Sequence, residues 1–354
     1  MPELAELARF TCPAPLAPRD RIVLGHGSGG RLSAELLSDV FLPLFKNPVL
    51  DRMDDQAIVE IGAARLAFTT DSFVVHPLFF PGGDIGSLAV HGTINDLAMG
   101  GARPLYLSAG FILEEGFPTE DLRRIARSMA QAARAAGVAI VTGDTKVVER
   151  GKGDGVFINT TGIGIVADGV RLSASNARPG DRVILSGPLG DHGIAILAQR
   201  EGLEFETEIR SDSAALHGLV ARILAAAQAG PVRVMRDPTR GGLSSSLNEI
   251  AAQSRVSIRL DETRIPVRDE VRGACELLGL DPLYVANEGK LIAIVAPEAA
   301  DEVLQAMRQD PLGAEGAIIG TVGEESPGLV TMTTAFGSTR IVDLLAGEQL
   351  PRIC

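Results

Sequence analysis

The sequence predicts an α/β and α+β protein of two domains, and three observations carry that expectation. A chain of 354 residues, 45% of them hydrophobic, holds more apolar material than one core normally organises. Short β-branched runs alternate along it with stretches of helical period. Around residues 168–182 the texture changes, where "DGVRLSASNARPGD" makes a polar, turn-rich passage ahead of a new apolar run. The expected division is an N-terminal domain over 1–168, a C-terminal domain over 169–345 and a tail over 346–354.

The elements follow in order. "RIVL" at 21–24 reads as a short strand, followed by the glycine-rich "GHGSGG" and an amphipathic stretch. "QAIVEI" and "RLAFTTD" read as strands joined by a hairpin at Gly62, Ala63 and Ala64. Asp84 is placed to cap a helix through "IGSLAVHGTINDLAM", which Gly100 and Gly101 close. "PLYLSAGFIL" is another strand. Leu122, Ile125, Met129, Ala133 and Ala136 recur at helical spacing before the stop at Gly137. "VAIVTGD" and "VFINTTGIGIV" flank a Gly-Lys loop. The second half is expected to hold strands near 182–186, 256–260 and 291–296, helices near 211–228, 242–253 and 298–308, and a last strand in "TRIVDLL".

Composition excludes several classes. A formal net charge of −12 does not suit a nucleic-acid or anionic-membrane partner. Cys12, Cys275 and Cys354 are too scattered for a disulfide framework or a zinc site. The acidic start "MPELAELARF" is not a signal peptide, and no apolar run reaches the roughly 18–20 residues of a membrane span. A soluble, cytoplasmic, two-domain protein is expected.

Gly25, Gly27 and Gly30 form a G-x-G-x-x-G pattern, with Asp51, Asp54 and Asp55 near where a dinucleotide fold places its ribose-binding acid. An NAD-dependent dehydrogenase is therefore one reading. Against it, the next segments look like an antiparallel hairpin, and these acids precede the strand "AIVEI" instead of ending it.

The carboxylates point elsewhere. Asp54 and Asp55 open the first hairpin, Asp71 closes its second strand, Asp96 sits mid-helix and Asp144 ends a strand. Converging acids without His or Cys suit a hard cation such as Mg2+, whose shell commonly includes phosphate oxygens, so ATP is the natural companion. Lys146 lies two residues past Asp144, on the same face of an extended chain, where it could meet phosphate. "RDPTRGGL" offers Asp237, Arg240 and a glycine turn into a helix. "ANEGK" places Glu288 and Lys290 just before an apolar strand, where the Glu could act as acid or base.

Together "TTDSFVVHPLFFPGGDIGSLAVHGTINDLAMGGARP" (69–104), "TGDTKVV", "RDPTRGGL", "ANEGK" and the closing "PRIC" resemble the HypE family of hydrogenase maturation proteins, over essentially the whole chain. That family is kin to aminoimidazole ribonucleotide synthetase, selenophosphate synthetase and thiamine monophosphate kinase. The resemblance implies a synthetase-like fold whose N-terminal strands pair across a homodimer, an α+β C-terminal domain and a flexible tail. It implies that Cys354 receives a carbamoyl group from the carbamoyltransferase HypF. ATP then drives dehydration of the S-carboxamide to a thiocyanate, and the cyano group passes to iron on the HypC–HypD complex.

By the same resemblance, Asp54, Asp55, Asp71, Asp96 and Asp144 are metal ligands. Gly27, Gly29, Gly30, Asp71, Asn95, Asp96, Asp144, Asp237 and Arg240 bind the nucleotide, with 27–31 a mobile loop over it. Cys354, Lys146 and Glu288 are catalytic. Cys12 and Cys275 receive no role. The alternatives are a small-molecule synthetase or kinase of the same superfamily, and a binding protein that merely presents its tail. Fully extended, 346–354 reaches roughly 30 Å, enough to enter a cleft.

Overall fold

The computed structural model describes residues 21–203, 208–228, 230–345, 347, 350 and 352–354. Two sheets organise it. In the first, strands β1 (Ala57–Ile61) and β2 (Ala64–Phe73) form the expected hairpin, followed by β3 (Ala102–Glu114), β4 (Ala139–Val148) and β5 (Val156–Val166). The spatial order is β1-β2-β5-β3-β4, antiparallel except for the parallel β3·β4 pair at the edge.

Helix α1 (Ile85–Met99) covers one face of this sheet, and α2 (Thr119–Ala135) packs behind it. Twelve residues of α1 are buried, because a helix apolar on nearly every side has no solvent face to offer. It begins where Asp84 accepts hydrogen bonds from the Gly86 and Ser87 backbone nitrogens at 2.8 and 2.9 Å. Its close approach to the sheet depends on Gly92: a Cβ there would lie 2.9 Å from the Phe73 ring. The opposite sheet face is uncovered, leaving Phe68, Tyr106, Ile112 and Ile163 exposed. Strand β4 is exposed on both sides along nearly its whole length.

The second sheet contains β6 (Arg182–Leu185), β7 (Val232–Arg236), β8 (Ser257–Asp261), β9 (Ile292–Val295), β10 (Ala317–Gly323), β11 (Val330–Thr333) and β12 (Thr339–Ile341). Its order is β12-β11-β8-β10-β6-β9-β7, with only β8·β11 parallel. Its helices are α3 (Asp191–Glu201), α4 (His217–Ala226), α5 (Gly242–Ser254), α6 (Asp269–Leu278) and α7 (Ala300–Arg308). Ala98 and Met99 at the end of α1 share an apolar cluster with Leu216, Leu219 and Ile184, so the two halves are packed together.

Several expectations need correction. Residues 21–24 are not a strand: Leu24–Gly27 is a 3-10 turn, and Ile22 and Leu24 are 73% and 68% exposed, so no sheet anchors them. Helix α4 starts at His217, not near 211. Helices α3 and α6 and strands β7, β10 and β11 were not anticipated; their apolar runs are short or interrupted by glycine and charge. Cys12 and parts of the 346–354 tail lie outside the described residues. No helix among the described residues is long and apolar enough to cross a membrane.

The Asp84 cap serves two otherwise unpaired amides at a buried helix start. Asp84→Ala is expected to destabilise the protein by about 1–2 kcal/mol, read as a lower urea midpoint with unchanged slope.

Candidate active site

The alternation of β2 puts Ala67, Thr69, Asp71 and Phe73 on the face turned toward α1 and leaves Phe68, Thr70 and Ser72 exposed. Asp96 on α1 looks back at that row: Thr69 Oγ1 donates to Asp96 Oδ2 at 2.7 Å and lies 3.0 Å from the Asp55 carbonyl. Asp237 comes from the end of β7, just before the left-handed Gly241 and Gly242 that turn the chain into α5. Carboxylate oxygens of Asp55, Asp96 and Asp237 all lie within 4.8 Å of one another. With Asp71, Arg236, Arg240 and Gly29 they line a polar cleft of about 270 Å³.

Charge is crowded in this cleft. Burial, reinforced by neighbouring carboxylates, holds Asp55 and Asp96 well above the usual carboxylate range. Burial pushes Asp237 up to about 6 against the pull of Arg236, and it raises Asp71 against that of Arg240. Arg236 is paired directly, its Nε 2.9 Å from Asp55 and its other end reaching Glu249, and Arg240 adds a second positive charge in the cleft, on the side of Asp71. Buried acids this close are stable only when protonated or shared by a cation, and an all-oxygen corner fits a hard divalent ion. Asp55, Asp96 and Asp237 are the residues that would hold it.

Glu288 adjoins the cleft. It is 3% exposed, its Oε1 has no hydrogen-bond partner, and burial holds its carboxyl well above the ordinary value. Its loop is fastened from three sides. Asn287 Nδ2 donates to the Pro238 carbonyl at 3.1 Å, Asn95 Nδ2 donates to the Glu288 carbonyl at 3.2 Å, and the Glu288 amide donates to Asp212 at 3.0 Å. Asp212 in turn holds Lys290 at 3.0 Å.

Cys354 is brought to the same place. Its carbonyl accepts from the Val74 amide at 3.0 Å, and the residue is half-buried in a cavity of about 150 Å³ with Gly27, Ser28, Ser72 and Arg240. Burial pushes its thiol up to about 12; Arg240 works against that shift, while Glu288, Asp71 and Asp237 add to it. The glycine loop closes over this cavity. A Cβ on Gly29, whose φ is +74°, would sit 2.7 Å from the Arg240 carbonyl, and the Arg31 amide donates to the Leu345 carbonyl at 3.1 Å.

The residues anticipated from sequence do not all meet. Asp55, Asp71, Asp96, Asp237, Arg240, Gly27, Gly29 and Cys354 line the cleft or its adjoining cavity, and Glu288 lies behind their walls, within electrostatic reach of Asp71, Asp237 and Arg240. Gly30 lies in the same loop, packed against Leu345. Asp54 turns away: its Oδ1 accepts from Ser173 Oγ and the Ala174 amide at 3.0 and 2.9 Å, fastening the start of the second half. Asn95 is spent on backbone, bonding Ala214, Leu216 and Glu288, and it positions Glu288 instead of facing a ligand.

Asp144 and Lys146 sit on the edge strand β4, 2.6 Å from each other and about 70% exposed. The register Ser72↔Asn159↔Gly110↔Asp144 puts three strand spacings, about 14 Å, between Asp144 and the end of β2. Within one chain they do not join the carboxylate corner. Arg236, Asp212 and His192 were not anticipated. Arg236 stood in the quoted "RDPTRGGL", but Asp212 and His192 acquire their partners only through packing of distant segments.

Family models described as AIR synthase related protein, N-terminal domain and C-terminal domain, match residues 53–166 and 178–331. A protein of Azotobacter vinelandii named carbamoyl dehydratase HypE is 63% identical over 329 residues, spanning 93% of this chain and 96% of its own. A crystal structure of a HypE–HypF complex matches with a TM-score of 0.83 and 48% identity, covering 88% of this chain and 99% of that one. A structure of the hydrogenase maturation protein HypE with ATP matches with a TM-score of 0.79 and 52% identity, covering 94% and 100%.

A proton on Asp237 competes with any cation in the corner, and Asp55 and Asp96 are likewise held above the usual carboxylate range by burial. Mg2+ affinity, measured by titration calorimetry, is therefore expected to rise with pH through about 6, by up to roughly tenfold per unit. Asp96→Asn is expected to remove most of it, and a flat affinity from pH 5 to 8 would place the ion elsewhere.

Proposed function

The chain belongs to the HypE family of carbamoyl dehydratases, within the AIR synthase related proteins, and we propose that Cys354 carries the carboxamide it dehydrates. It is an enzyme of hydrogenase maturation that acts by ATP-dependent dehydration. The observation that carries the residue assignment is the seating of Cys354 between Arg240, Glu288 and the acid corner.

The chemistry follows from the leaving group. An amide oxygen departs poorly as hydroxide, so the carboxamide oxygen of Cys354–S–CO–NH2 attacks the γ-phosphorus of ATP and later leaves as phosphate. ADP leaves as the γ-phosphoryl group is transferred, one nitrogen proton passes to solvent as the O-phosphorylated imidate forms and the second is taken as the C–O bond breaks, and –S–C≡N remains with the carboxamide oxygen carried off in phosphate, so the tail is lighter by one water. Glu288 takes a nitrogen proton; the burial that raises its pKa makes its carboxylate form a strong base. A divalent ion on Asp55, Asp96 and Asp237 supplies charge neutralisation on the phosphates. Arg240, beside both Asp71 and the thiol, orients the oxygen side of the reacting group. Gly27 and Gly30 offer backbone amides to the nucleotide, while the Gly29 amide, which donates to Ser33 Oγ at 2.9 Å, holds the loop in shape.

The full site needs a second copy. β4 presents Val141 and Val147, 59% and 67% exposed, along an unpaired edge next to the uncovered apolar sheet face. An unpaired, apolar edge of this length favours strand pairing. Stacking the two open sheet faces across a two-fold, with the β4 edges meeting, would set Asp144 and Lys146 of each copy, which share the open face with Ser72, against the Ser72 end of the other copy's β2 and so beside its Cys354 cavity. HypF, found in complex with a relative, is the proposed carbamoyl donor, and the HypC–HypD complex the cyanide acceptor, all in the cytoplasm.

Intact-mass measurement with active HypF, carbamoyl donor and Mg-ATP tests this reading. Wild type should gain one carbamoyl group and then lose one water only when ATP is present, while Cys354→Ala should gain nothing. An unmodified wild type would favour a small-molecule synthetase. Glu288→Gln is expected to slow water loss roughly 10²–10⁴-fold without preventing carbamoylation. Val141→Asp should shift the protein to monomer in light scattering. Mixing Lys146→Ala with Cys354→Ala should restore activity that neither has alone; failure to complement would place Lys146 and Cys354 in the same chain's site.

A further inference from the structure

The segment at 352–354 is held by contacts that read its sequence and not merely its presence. The Val74 amide donates to the Cys354 carbonyl at 3.0 Å and the His76 amide to the Arg352 carbonyl at 3.1 Å, the alternation of an antiparallel ladder. Arg352 Nε donates to the Val74 carbonyl at 3.0 Å, and its guanidinium also meets Asp154. Arg200 donates to both the Arg352 and His76 carbonyls at 2.9 and 2.7 Å, clamping the two strands together.

Between these anchors Ile353 is 4% exposed, in the apolar cluster that contains Phe80, Ile196 and Ala286. Its carbonyl lies 2.8 Å from His192 Nε2. A carbonyl only accepts, so Nε2 carries the proton, and Nδ1 accepts from Ser211 at 2.8 Å in the neutral ring that burial favours. Phe80 meets that ring edge-on at 5.7 Å. Arg352 itself has φ +52°, a left-handed conformation that costs a non-glycine residue energy and is kept only by surrounding contacts.

We propose that Val74, His76, His192 and Arg200 form a peptide-recognition subsite for the sequence Arg-Ile-Cys, which sets the depth at which Cys354 enters the cleft. Ile353 is its side-chain anchor, and His192 is a positioning residue that acts through the Ile353 carbonyl. The purpose of the subsite rests on Cys354 being the reacting residue, but its existence does not. A peptide of the same sequence, unconnected to the chain, should therefore compete for it.

The test is the alkylation rate of Cys354 by iodoacetamide at pH 8 in the full-length protein, followed by peptide mass, with buried Cys275 as internal reference. A seated thiol pushed up to about 12 is almost wholly un-ionised there, whereas a free one near 8.5 is partly thiolate, so the rate reports release. His192→Ala is expected to speed alkylation about tenfold, and His192→Gln, which keeps an N–H donor, to recover most of the protection. On wild type, acetyl-Pro-Arg-Ile-Ser at several mM, needed against a tethered competitor of about mM effective concentration, should raise the rate several-fold. The same peptide with Asp for Ile should not. Rates for His192→Ala within twofold of wild type, or equal effects of the two peptides, would overturn the proposal. Neither arm uses ATP or HypF, so its failure leaves the dehydratase reading standing, and the converse.

Discussion

Asp55, Asp96 and Asp237 bring carboxylate oxygens within 4.8 Å of one another, largely shielded from water, and the surrounding structure is arranged to keep them there. Isolated buried charge of this kind is costly, and each acid responds with a raised pKa. The three acids arrive from a loop before β1, from the middle of a buried helix and from the end of β7. No short segment could collapse to relieve the repulsion. The packed cluster joining α1 to the second half holds the corner rigid, so relief must come from a bound cation or from protons. A site poised in this way favours whatever cation completes it.

The same architecture explains why Glu288 and Cys354 belong to the cleft and not to a separate device. Asn95 lies one residue from Asp96 on α1, and its amide fixes the carbonyl of Glu288. The acid corner and Glu288 are therefore tied through a single helix turn. Val74 follows directly on the strand that carries Asp71, and it fixes the carbonyl of Cys354. Distances between the acid corner, Glu288 and the thiol are thus set by covalent neighbours of the groups themselves.

Much of this was legible in the sequence, and the failures have physical reasons. The α1 helix, its Asp84 cap and the first hairpin declare themselves because propensity, capping and periodicity agree locally. The acids at strand ends were visible as a set. Which of them converge was not: Asp54 and Asp55 are adjacent, yet opposite side-chain directions send one to Ser173 and the other to Arg236. Asn95 stands in the same motif as Asp96 but points to backbone, a distinction that depends on helix rotation against a distant loop. Helix α3 and its His192 escaped notice because their partner, the Ile353 carbonyl, lies 161 residues away.

Residues 352 and 74 meet across 278 positions of chain, and that separation has a bearing on synthesis. At translation speeds of about 5–20 residues per second, the strand carrying Asp71 and Val74 exists for roughly 15 to 60 s before the segment that pairs with it is made. During that interval the amides of Val74 and His76 lack the carbonyls they later serve, and the recess for Ile353 is completed only once Ile196 and Ala286 have been added. The nascent first half must remain soluble with those two backbone donors unpaired. The cleft residues from Asp55 to Arg240 are therefore all made before Cys354 can be seated among them.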